Sequence, residues 1–561
     1  MKSRVIGVIL ALSAFAVAAK AQGVESPPVT SFKPDTTMPS VNVPEFVITG
    51  RAQIELPRAD KPTVEIDSSY FQGKELPGVE VGVPLYRSLG DQYNAEGKPP
   101  SSLFVRASIG HYSSARYLAS GIASVGGFNF SGSLSGDYTS GFISNTMRRD
   151  FSIQGGISKD LNVDGGVKSS NSMNLGYSRS SYSLYGESPR FLQRSTDEVR
   201  FGINSDMYLD ELPLAFALNF NRFSLADDWD NTQSSLKLKA STQVQLSSGW
   251  LGFSGAVLLG DHTLSASSTN PVLALPLPVA VRSINRSLYD LVFGASYGST
   301  LFLGKFSYSL GLTYFQYRDD SLNTVAKLYP DARLNYRFNE TVSLFVGFSA
   351  TVREANLSEF LTTDPYADGV LTLVNTQDYA DFTLGSTVAL NHGITLAPQI
   401  DYRNSKYFPV FVSNSVNRTS LLYSGKCSIL SFSLKVGYRE GSVSSDLTLR
   451  YQSGKVDSLS SIPNLSPFNA DLALAYKITP QFTASASVLF LSSRYADLGL
   501  SEKLNPVGLL DFRLAYDFEV SRLPVQVFAG GDNVLNERYF IWQGYQEFPM
   551  TLYLGISSTI L

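Results

Sequence analysis

The sequence predicts an all-β protein, a transmembrane antiparallel β-barrel of about 22 strands that follows a proline-rich N-terminal tail. Three observations lead to this fold class: apolar residues recur with a period of two from Leu103 onward, short and long connections alternate, and the composition is rich in aromatic residues and glycine. Only 17% of the 561 residues are charged, whereas 12% are aromatic and 44 residues are glycine. Windows with the spacing of an amphipathic helix are scarce. Strands are therefore expected to dominate.

The period of two separates an apolar face from a face of small polar residues. In the segment QFTASASVLF, Phe482 and Phe490 lie on one face and Thr483 lies on the other. The same separation recurs in the segments 341–351 and 212–221. The small polar face suits water, and the apolar face suits lipid.

The connections distinguish a barrel from a soluble β-sandwich, which would show the same alternation of faces. Short connections are predicted at 338–341, 391–393, 479–481 and 210–211. Longer polar connections are predicted near 224–234, 261–287, 354–375, 404–426, 454–467, 492–506 and 533–547. This alternation is typical of an outer-membrane barrel with periplasmic turns and external loops, and it places both barrel ends in the periplasm. The stretch from Asn162 to Gly186 leaves the strand count open by two.

The N-terminus predicts export from the cytoplasm. Lys2 and Arg4 precede an apolar run from Val5 to Ala19, and a small-residue site predicts cleavage after Ala21. Residues 1–21 are therefore interpreted as a signal peptide that directs the chain toward the outer membrane of a Gram-negative bacterium. The formal net charge of −4 gives no basic surface for nucleic acid.

Residues 22–101 are predicted to form a periplasmic tail, and residues 102–561 the transmembrane barrel. Eleven of the 26 prolines fall in the tail, and proline at this density blocks helix interiors and central strands. One apolar island has the β-branched content of a short strand that could add to the sheet edge of a periplasmic partner: Glu45, Phe46, Val47, Ile48 and Thr49. The alternative is a strand that only anchors the tail.

The C-terminus resembles that of TonB-dependent receptors. The segment DNVLNERYF is followed by FPMTLYLGISSTI, and the likeness rests on Asn533, Leu535, Asn536, Tyr539, Pro549, Tyr553, Gly555 and Ile560. The resemblance implies that the last strand closes the barrel through Tyr553, Gly555, Ile556 and Ile560. It also implies a TonB-like partner for the island at 45–49. The period of two turns Leu552, Leu554, Ile556 and Ile560 toward lipid and Tyr553, Gly555, Ser557 and Thr559 toward the lumen.

The sequence departs from the family pattern at both ends of the chain. The Gly-Arg pair expected near Met550 is missing, Ser558 replaces an aromatic residue, and Leu561 follows the expected last position. The glycine-rich motifs of a plug domain are absent after Arg51. We therefore expect a relative without a plug, whose lumen is open, closed by loops, or filled by the tail or a partner. The small lumen-facing residues argue against a barrel that fills itself.

No catalytic, cofactor or metal site is predicted, and the protein is not expected to be an enzyme. His111, His262 and His392 lie on unrelated segments and are interpreted as scattered surface histidines. Cys427 is interpreted as a small filler residue in a strand. One acidic group could contact an external ligand, either Ca²⁺ or a basic or sugar molecule: Asp227, Asp228, Trp229 and Asp230. The alternative is a solvated external loop.

The sequence supports three functions. The first is transport of a solute across the outer membrane with a TonB-like protein; the second is a channel that uses no energy. The third is a scaffold whose tail docks on periplasmic machinery. Expected partners are outer-membrane lipid, the barrel-assembly machinery and possible periplasmic proteins, while the substrate cannot be named because selectivity lies in external loops.

Overall fold

A computed structural model describes ten segments of the chain. They are residues 102–144, 146–163, 167–186, 192–209, 212–266, 284–302, 304–318, 324–390, 392–414 and 418–560. The predicted signal peptide and tail lie outside these residues, and so does the island from Glu45 to Thr49. The predicted absence of a plug therefore stays a prediction.

Twenty-two long strands form one antiparallel sheet. They are β1 (Ser102–Gly110), β2 (Ser114–Val125), β3 (Phe128–Thr139), β4 (Arg148–Val163), β5 (Val167–Leu184), β6 (Leu192–Leu209), β7 (Leu212–Ala226), β8 (Trp229–Leu246), β9 (Gly249–Ala266), β10 (Ile284–Leu301), β11 (Phe306–Arg318), β12 (Thr324–Arg337), β13 (Val342–Arg353), β14 (Thr376–Leu390), β15 (Ile394–Lys406), β18 (Cys427–Glu440), β19 (Val443–Val456), β20 (Phe468–Lys477), β21 (Phe482–Leu491), β24 (Val507–Val520), β25 (Leu523–Asp532) and β28 (Thr551–Ile560).

The sheet closes on itself as a barrel. Each long strand pairs with the next long strand along the chain, and β28 pairs with β1 from Leu103 opposite Ile560 to Gly110 opposite Tyr553. Closure leaves the sheet without an unpaired edge. The predicted fold class and strand number are confirmed, and the open stretch at 162–186 belongs to the hairpin of β4 and β5.

Short connections lie at the rim that also carries Ser102 and Ile560, which we call the terminal rim. The predicted turns 338–341 and 391–393 join β12 to β13 and β14 to β15 at the predicted bounds. Leu209 of β6 pairs with Leu212 of β7, which leaves only residues 210–211 between these strands. The three short connections named here therefore all lie at one rim of the barrel, as the sequence predicts.

The opposite rim, which we call the loop rim, carries the longer connections. The predicted loops 354–375 and 492–506 lie between barrel strands at the predicted bounds. The others shift by a few residues to 407–426, 457–467 and 533–550, because the adjoining strands end or begin elsewhere. The loop predicted at 261–287 shortens because β9 and β10 extend into it, and its remainder lies outside the described residues.

The prediction of a long loop near 224–234 is wrong. Strand β7 ends at Ala226 and β8 begins at Trp229, so only a two-residue turn separates them. The Asp227 carboxylate accepts a hydrogen bond from the Trp229 N–H at 2.7 Å, and the Asp227 N–H donates to the Trp229 carbonyl at 3.0 Å. The polar run that suggested a loop is instead a tight turn closed by its own aspartate.

The last strand shows how the two faces of the wall differ. Leu554 and Ile556 are 56% and 51% exposed on the outer face, whereas Ser557 is 5% exposed on the inner face. Alternate residues of a strand point to opposite faces, so an apolar outside and a small polar inside follow from the sequence.

The loop rim carries one helix and three short hairpins. Helix α1 (Leu357–Thr363) begins after Asn356, whose side chain accepts a hydrogen bond from the Ser358 N–H. The hairpins are formed by β16 (Pro409–Ser413) with β17 (Thr419–Tyr423), β22 (Arg494–Tyr495) with β23 (Lys503–Leu504), and β26 (Phe540–Trp542) with β27 (Tyr545–Gln546). Within the described part of the chain, no helix combines the length and the apolar character that a membrane crossing requires.

Candidate functional site

Four connections of the loop rim fold inward and pack on one another through their described residues, and we call them the loop cap: 354–375, 407–414 with 418–426, 492–506 and 533–550. The ring of Tyr366 stacks on Tyr545 with centroids 3.7 Å apart and planes 12° apart. Phe411 lies edge-on to Phe360 at 6.3 Å and to Trp542 at 6.0 Å. Aromatic pairs of this kind bury large apolar areas, which orders loops that would otherwise be solvated. Of the alternatives left open for the lumen, closure by loops is the one that this packing supports at the loop rim.

A buried ion pair fastens the loop cap to the barrel wall. Arg194 of β6 donates two hydrogen bonds to the Asp227 carboxylate, at 2.9 and 2.6 Å, and both side chains are 0% exposed. The third contact of the guanidinium goes to the Pro365 carbonyl of the loop cap at 2.7 Å. Two buried charges persist only when they are paired and hydrogen-bonded, so this arrangement holds loop 354–375 against β6 and β7.

Strand β8 provides a second attachment through amide side chains. The Asn231 amide donates to the carbonyls of Gly369 and Leu371 at 3.1 and 3.0 Å. Its oxygen lies 2.8 Å from Nε2 of His262, which is therefore the protonated ring nitrogen. His262 is 1% exposed, so its interpretation as a surface histidine is wrong. The buried ring orients the Asn231 side chain, whose amide binds the backbone of loop 354–375.

The start of the helix is also held by β8. Gln233 donates to the Ala355 carbonyl at 3.2 Å and accepts from the Leu357 N–H at 2.8 Å. Lys237, which lies further along β8 from the loop rim, pairs with Glu354. Gln233 thus satisfies one of the unpaired N–H groups at the N-terminus of α1. The helix direction is fixed by the wall rather than by the loop alone.

The structure brings the predicted ligand residues together at the turn between β7 and β8. Asp227 pairs with Arg194, Asp228 accepts from Arg418 at 3.1 Å, and Trp229 is 5% exposed. Asp230 stands in β8 opposite Ala226. Both paired carboxylates thus bind arginines of this chain, and contact with an external ligand stays a prediction. The described segments hold no group of three or more His, Cys, Asp or Glu residues placed for a metal ion.

Three carboxyl groups of the loop rim have raised pKa values. Burial raises the pKa of Asp228 to about 6, with Asp227 acting in the same direction and Arg418 against it. Burial raises the pKa of Asp364 to about 7, although Thr419 and the Tyr366 N–H hydrogen-bond to it. Burial likewise raises the pKa of Glu547 to about 8. These groups resist ionisation because the packed loops exclude water from them.

A cavity of about 1310 Å³ occupies the half of the barrel nearest the terminal rim. Its lining on β3 to β7 consists mainly of hydroxyl and amide side chains: Ser131, Ser133, Ser152, Gln154, Asn174, Ser178, Asn204, Asn219 and Asn221. The charged Arg200 in this wall pairs with Glu198 at 2.5 Å. A wall of neutral donors and acceptors suits a hydrated, polar interior.

The remaining predictions concern the last strand, Cys427 and the island at 45–49. Tyr553 and Gly555 lie on the inner face of β28, and Ile556 and Ile560 lie on its outer face. Cys427 is 2% exposed and packs among apolar residues at the start of β18, as expected of a filler. The interpretation of 45–49 as a partner strand stays a prediction.

The contacts that hold the loop cap were not found from the sequence. Arg194 stands in a strand of mixed polarity, and its partner Asp227 is 33 residues away. The only sequence feature that pointed to such a contact was a polar residue on the inner face of a strand near a long loop. Many wall residues fit that description, so pairing needed the folded structure.

Comparisons with solved structures identify proteins of similar fold. The FrpB iron transporter from Neisseria meningitidis matches with a TM-score of 0.62 and 12% identity, over 83% of this chain and 82% of that chain. The ferric preacinetobactin receptor BauA from Acinetobacter baumannii gives 0.61 and 11%, over 82% and 80%. The siderophore receptor PiuA from Acinetobacter baumannii gives 0.57 and 12%, over 82% of each chain.

Comparison of the sequence with known families and proteins finds no match. No protein-family model and no curated protein matches the chain. At such low identity the solved structures establish the fold alone. The chain therefore shares the fold of these transporters and receptors.

Proposed function

We propose that the protein moves a solute across the outer membrane through a barrel whose mouth is closed by the loop cap. The observation that carries the proposal is the combination of a polar cavity at one end of the barrel with packed loops at the other. A barrel of about 22 strands is wide enough to need a plug, and here the loops supply part of the filling. The fold shared with the FrpB iron transporter and with siderophore receptors supports transport.

We further propose that the loop rim faces the outside of the cell and the terminal rim faces the periplasm. The tight connections at the terminal rim support this orientation, since outer-membrane barrels have short periplasmic turns. The N-terminal tail and the C-terminus are then periplasmic. The solute would meet the loop cap first and the cavity second.

The packed loops favour gated passage over a permanently open channel. Packed contacts between the loops, such as the stacked rings of Tyr366 and Tyr545, must separate before a solute can enter the cavity from the loop rim. Energy for that step would come from a TonB-like periplasmic protein that pairs with the strand from Glu45 to Thr49. Replacing Val47 with proline removes a backbone donor and should abolish uptake in cells if strand addition is required.

Single-channel recording on the purified full-length protein tests the gate. We expect small conductance for the wild type and a large increase when 357–371 is replaced by a short Gly-Ser linker. The matched control replaces 497–501, the tip of the cap connection 492–506, where Leu498, Gly499 and Ser501 are exposed, so that loss of the packed segment is compared with loss of an exposed one. A large conductance in the wild type would contradict gating and favour the open channel. Absence of conductance in all three proteins would favour the scaffold.

The solute class requires a cellular experiment. Ferric siderophores are the first candidates, because the structural neighbours include receptors for them. A deletion strain should grow poorly under iron limitation, and the intact gene should restore growth. Equal growth of both strains with every ferric chelate supplied would exclude iron as the cargo while leaving the gated barrel in place.

A further inference from the structure

A second, smaller cavity lies at the loop rim between the loop cap and strands β2 to β5 and β28. Its volume is about 80 Å³. The rings that line it are Tyr112, Phe142, Tyr182, Tyr185, Tyr366, Phe548 and Tyr553, and the charged residues are Arg116, Asp137, Arg148, Asp150 and Glu547. The transport proposal makes no use of this cavity.

Three polar atoms of the lining have no hydrogen-bond partner among the described residues. They are Oε1 of Glu547, Oδ1 of Asp150 and the hydroxyl of Tyr553, all shielded from solvent. Glu547 is only 4% exposed. An unsatisfied buried polar atom destabilises a fold and is rare in proteins, so three around one cavity indicate a bound group that satisfies them.

The charges of the lining show which sign that group should carry. Arg116 pairs with Asp137 at 3.2 Å, and Arg148 pairs with Asp150 at 2.6 Å. Glu547 is the remaining carboxylate of the lining, and no salt bridge to it occurs in the described part of the chain. The set is therefore one positive charge short of balance when Glu547 is ionised, and an anion would increase the imbalance.

The aromatic rings of the lining also favour a cation. Tyr185 meets Tyr366 edge-on with centroids 5.9 Å apart, and Phe142 lies 5.1 Å from Phe548. The Tyr185 hydroxyl is occupied, because it donates to the Gln546 carbonyl at 2.7 Å. Aromatic faces attract ammonium groups through the ring quadrupole, most strongly where water is excluded.

We propose that this cavity binds the ammonium head group of a small organic cation, with Glu547 as its counter-ion. Asp150 and the Tyr553 hydroxyl accept hydrogen bonds from its N–H groups, and the rings contact its carbon atoms. The volume corresponds to roughly two or three water molecules, which admits a head group but not a whole solute. Binding at the rim is independent of transport, so either proposal can fail alone.

Binding to the purified full-length barrel in detergent tests the proposal. The probes are methylammonium and tetramethylammonium, with tert-butanol as the uncharged analogue of similar shape, observed by saturation-transfer NMR at pH 9, because burial raises the pKa of Glu547 to about 8. We expect both cations to bind and Glu547→Gln to weaken each by about tenfold or more, equivalent to about 1.4 kcal/mol. Glu537→Gln is the matched control, because Glu537 is exposed on the same loop.

A second variant separates hydrogen bonding from charge. Tyr553→Phe removes one hydrogen-bond acceptor, so it should weaken the binding of methylammonium. The binding of tetramethylammonium, which has no N–H group, should be unchanged. Limited proteolysis of each variant shows whether the loop cap is still folded. Equal cation affinity in wild type and Glu547→Gln with intact loops would overturn the proposal. Equally tight binding of tert-butanol, or tighter binding of acetate, would overturn it too.

Discussion

Replacing Arg194 with alanine should release loop 354–375 from the barrel wall. The change leaves the Asp227 carboxylate buried without its partner, and it removes the donor to the Pro365 carbonyl. Breaking a buried ion pair by removing one partner costs about 3–5 kcal/mol. Because both side chains are 0% exposed, solvent cannot screen the remaining charge while the loop stays in place. The loop must move to hydrate it.

The effect should be local rather than global. Arg194 and Asp227 lie at the loop rim, whereas the closed ladder of backbone hydrogen bonds that runs from β1 to β28 holds the wall. A loss of 3–5 kcal/mol in the closed state raises the population of the open loop by about 100-fold to over 1,000-fold. The barrel itself should therefore survive heating as the wild type does.

Conductance and limited proteolysis measure this opening. Arg194→Ala should show frequent open events and rapid cleavage within 354–375. Arg439→Ala is the control, because Arg439 forms an ion pair with Asp446 that is partly exposed at the terminal rim. Exposed pairs contribute about 0–1 kcal/mol, so this variant should behave as the wild type does.

A double variant tests the stated cause. Arg194→Met combined with Asp227→Asn removes the orphaned charge as well as its partner and keeps a side-chain oxygen for the Trp229 N–H, so it should be less open than Arg194→Ala. The coupling energy between the two positions should exceed 0.5 kcal/mol. If Arg194→Ala conducts and resists protease as the wild type does, the ion pair does not hold the loop. If the double variant opens as far as the single one, the buried charge is not the cause.

Three further predictions follow from the fold. Burial raises the pKa of Asp364 to about 7, so its contribution to closed-loop stability is complete below pH 3.8 and is lost as the pH rises through 7. Conductance should therefore rise between these two pH values, and it should rise less in Asp364→Asn. Ile556→Arg should destabilise the barrel by about 2–4 kcal/mol in urea titrations in lipid, and Thr559→Arg should be milder because Thr559 lies on the inner face and lines the large cavity. Epitope tags in 497–501 should be labelled on intact cells, whereas tags in 391–393 should not, and the reverse pattern would invert the proposed orientation.

The barrel could be predicted from the sequence because its rules are local. A period of two assigns each residue of β21 or β28 to a face without knowledge of any partner. Closure adds the constraint that the strand number be even in a bacterial barrel. The parity of short and long connections therefore gave the number of strands and the location of both ends at one rim.

The loop cap could not be predicted because its contacts join residues that are distant in sequence. The Arg194 guanidinium reaches Pro365, 171 residues later, and Tyr185 reaches Gln546, 361 residues later. Solvated and packed loops have similar compositions when aromatic residues are frequent, as they are in this chain. The acidic run at 227–230 illustrates the ambiguity, since the same residues could form a loop, a metal site or the tight turn that is observed.

The contacts of the loop cap differ in strength, and this difference indicates where it separates. Loop 354–375 is held to the wall by a buried ion pair and by amide bonds from β8, whereas it meets loop 533–550 through the stack of Tyr366 on Tyr545. Such a ring pair contributes about 0.5–1.5 kcal/mol beyond its buried area, less than the cost of breaking the ion pair. Opening between the two loops is therefore cheaper than detachment from β6. A solute that parts these rings would enter beside β28 and leave Arg194 paired.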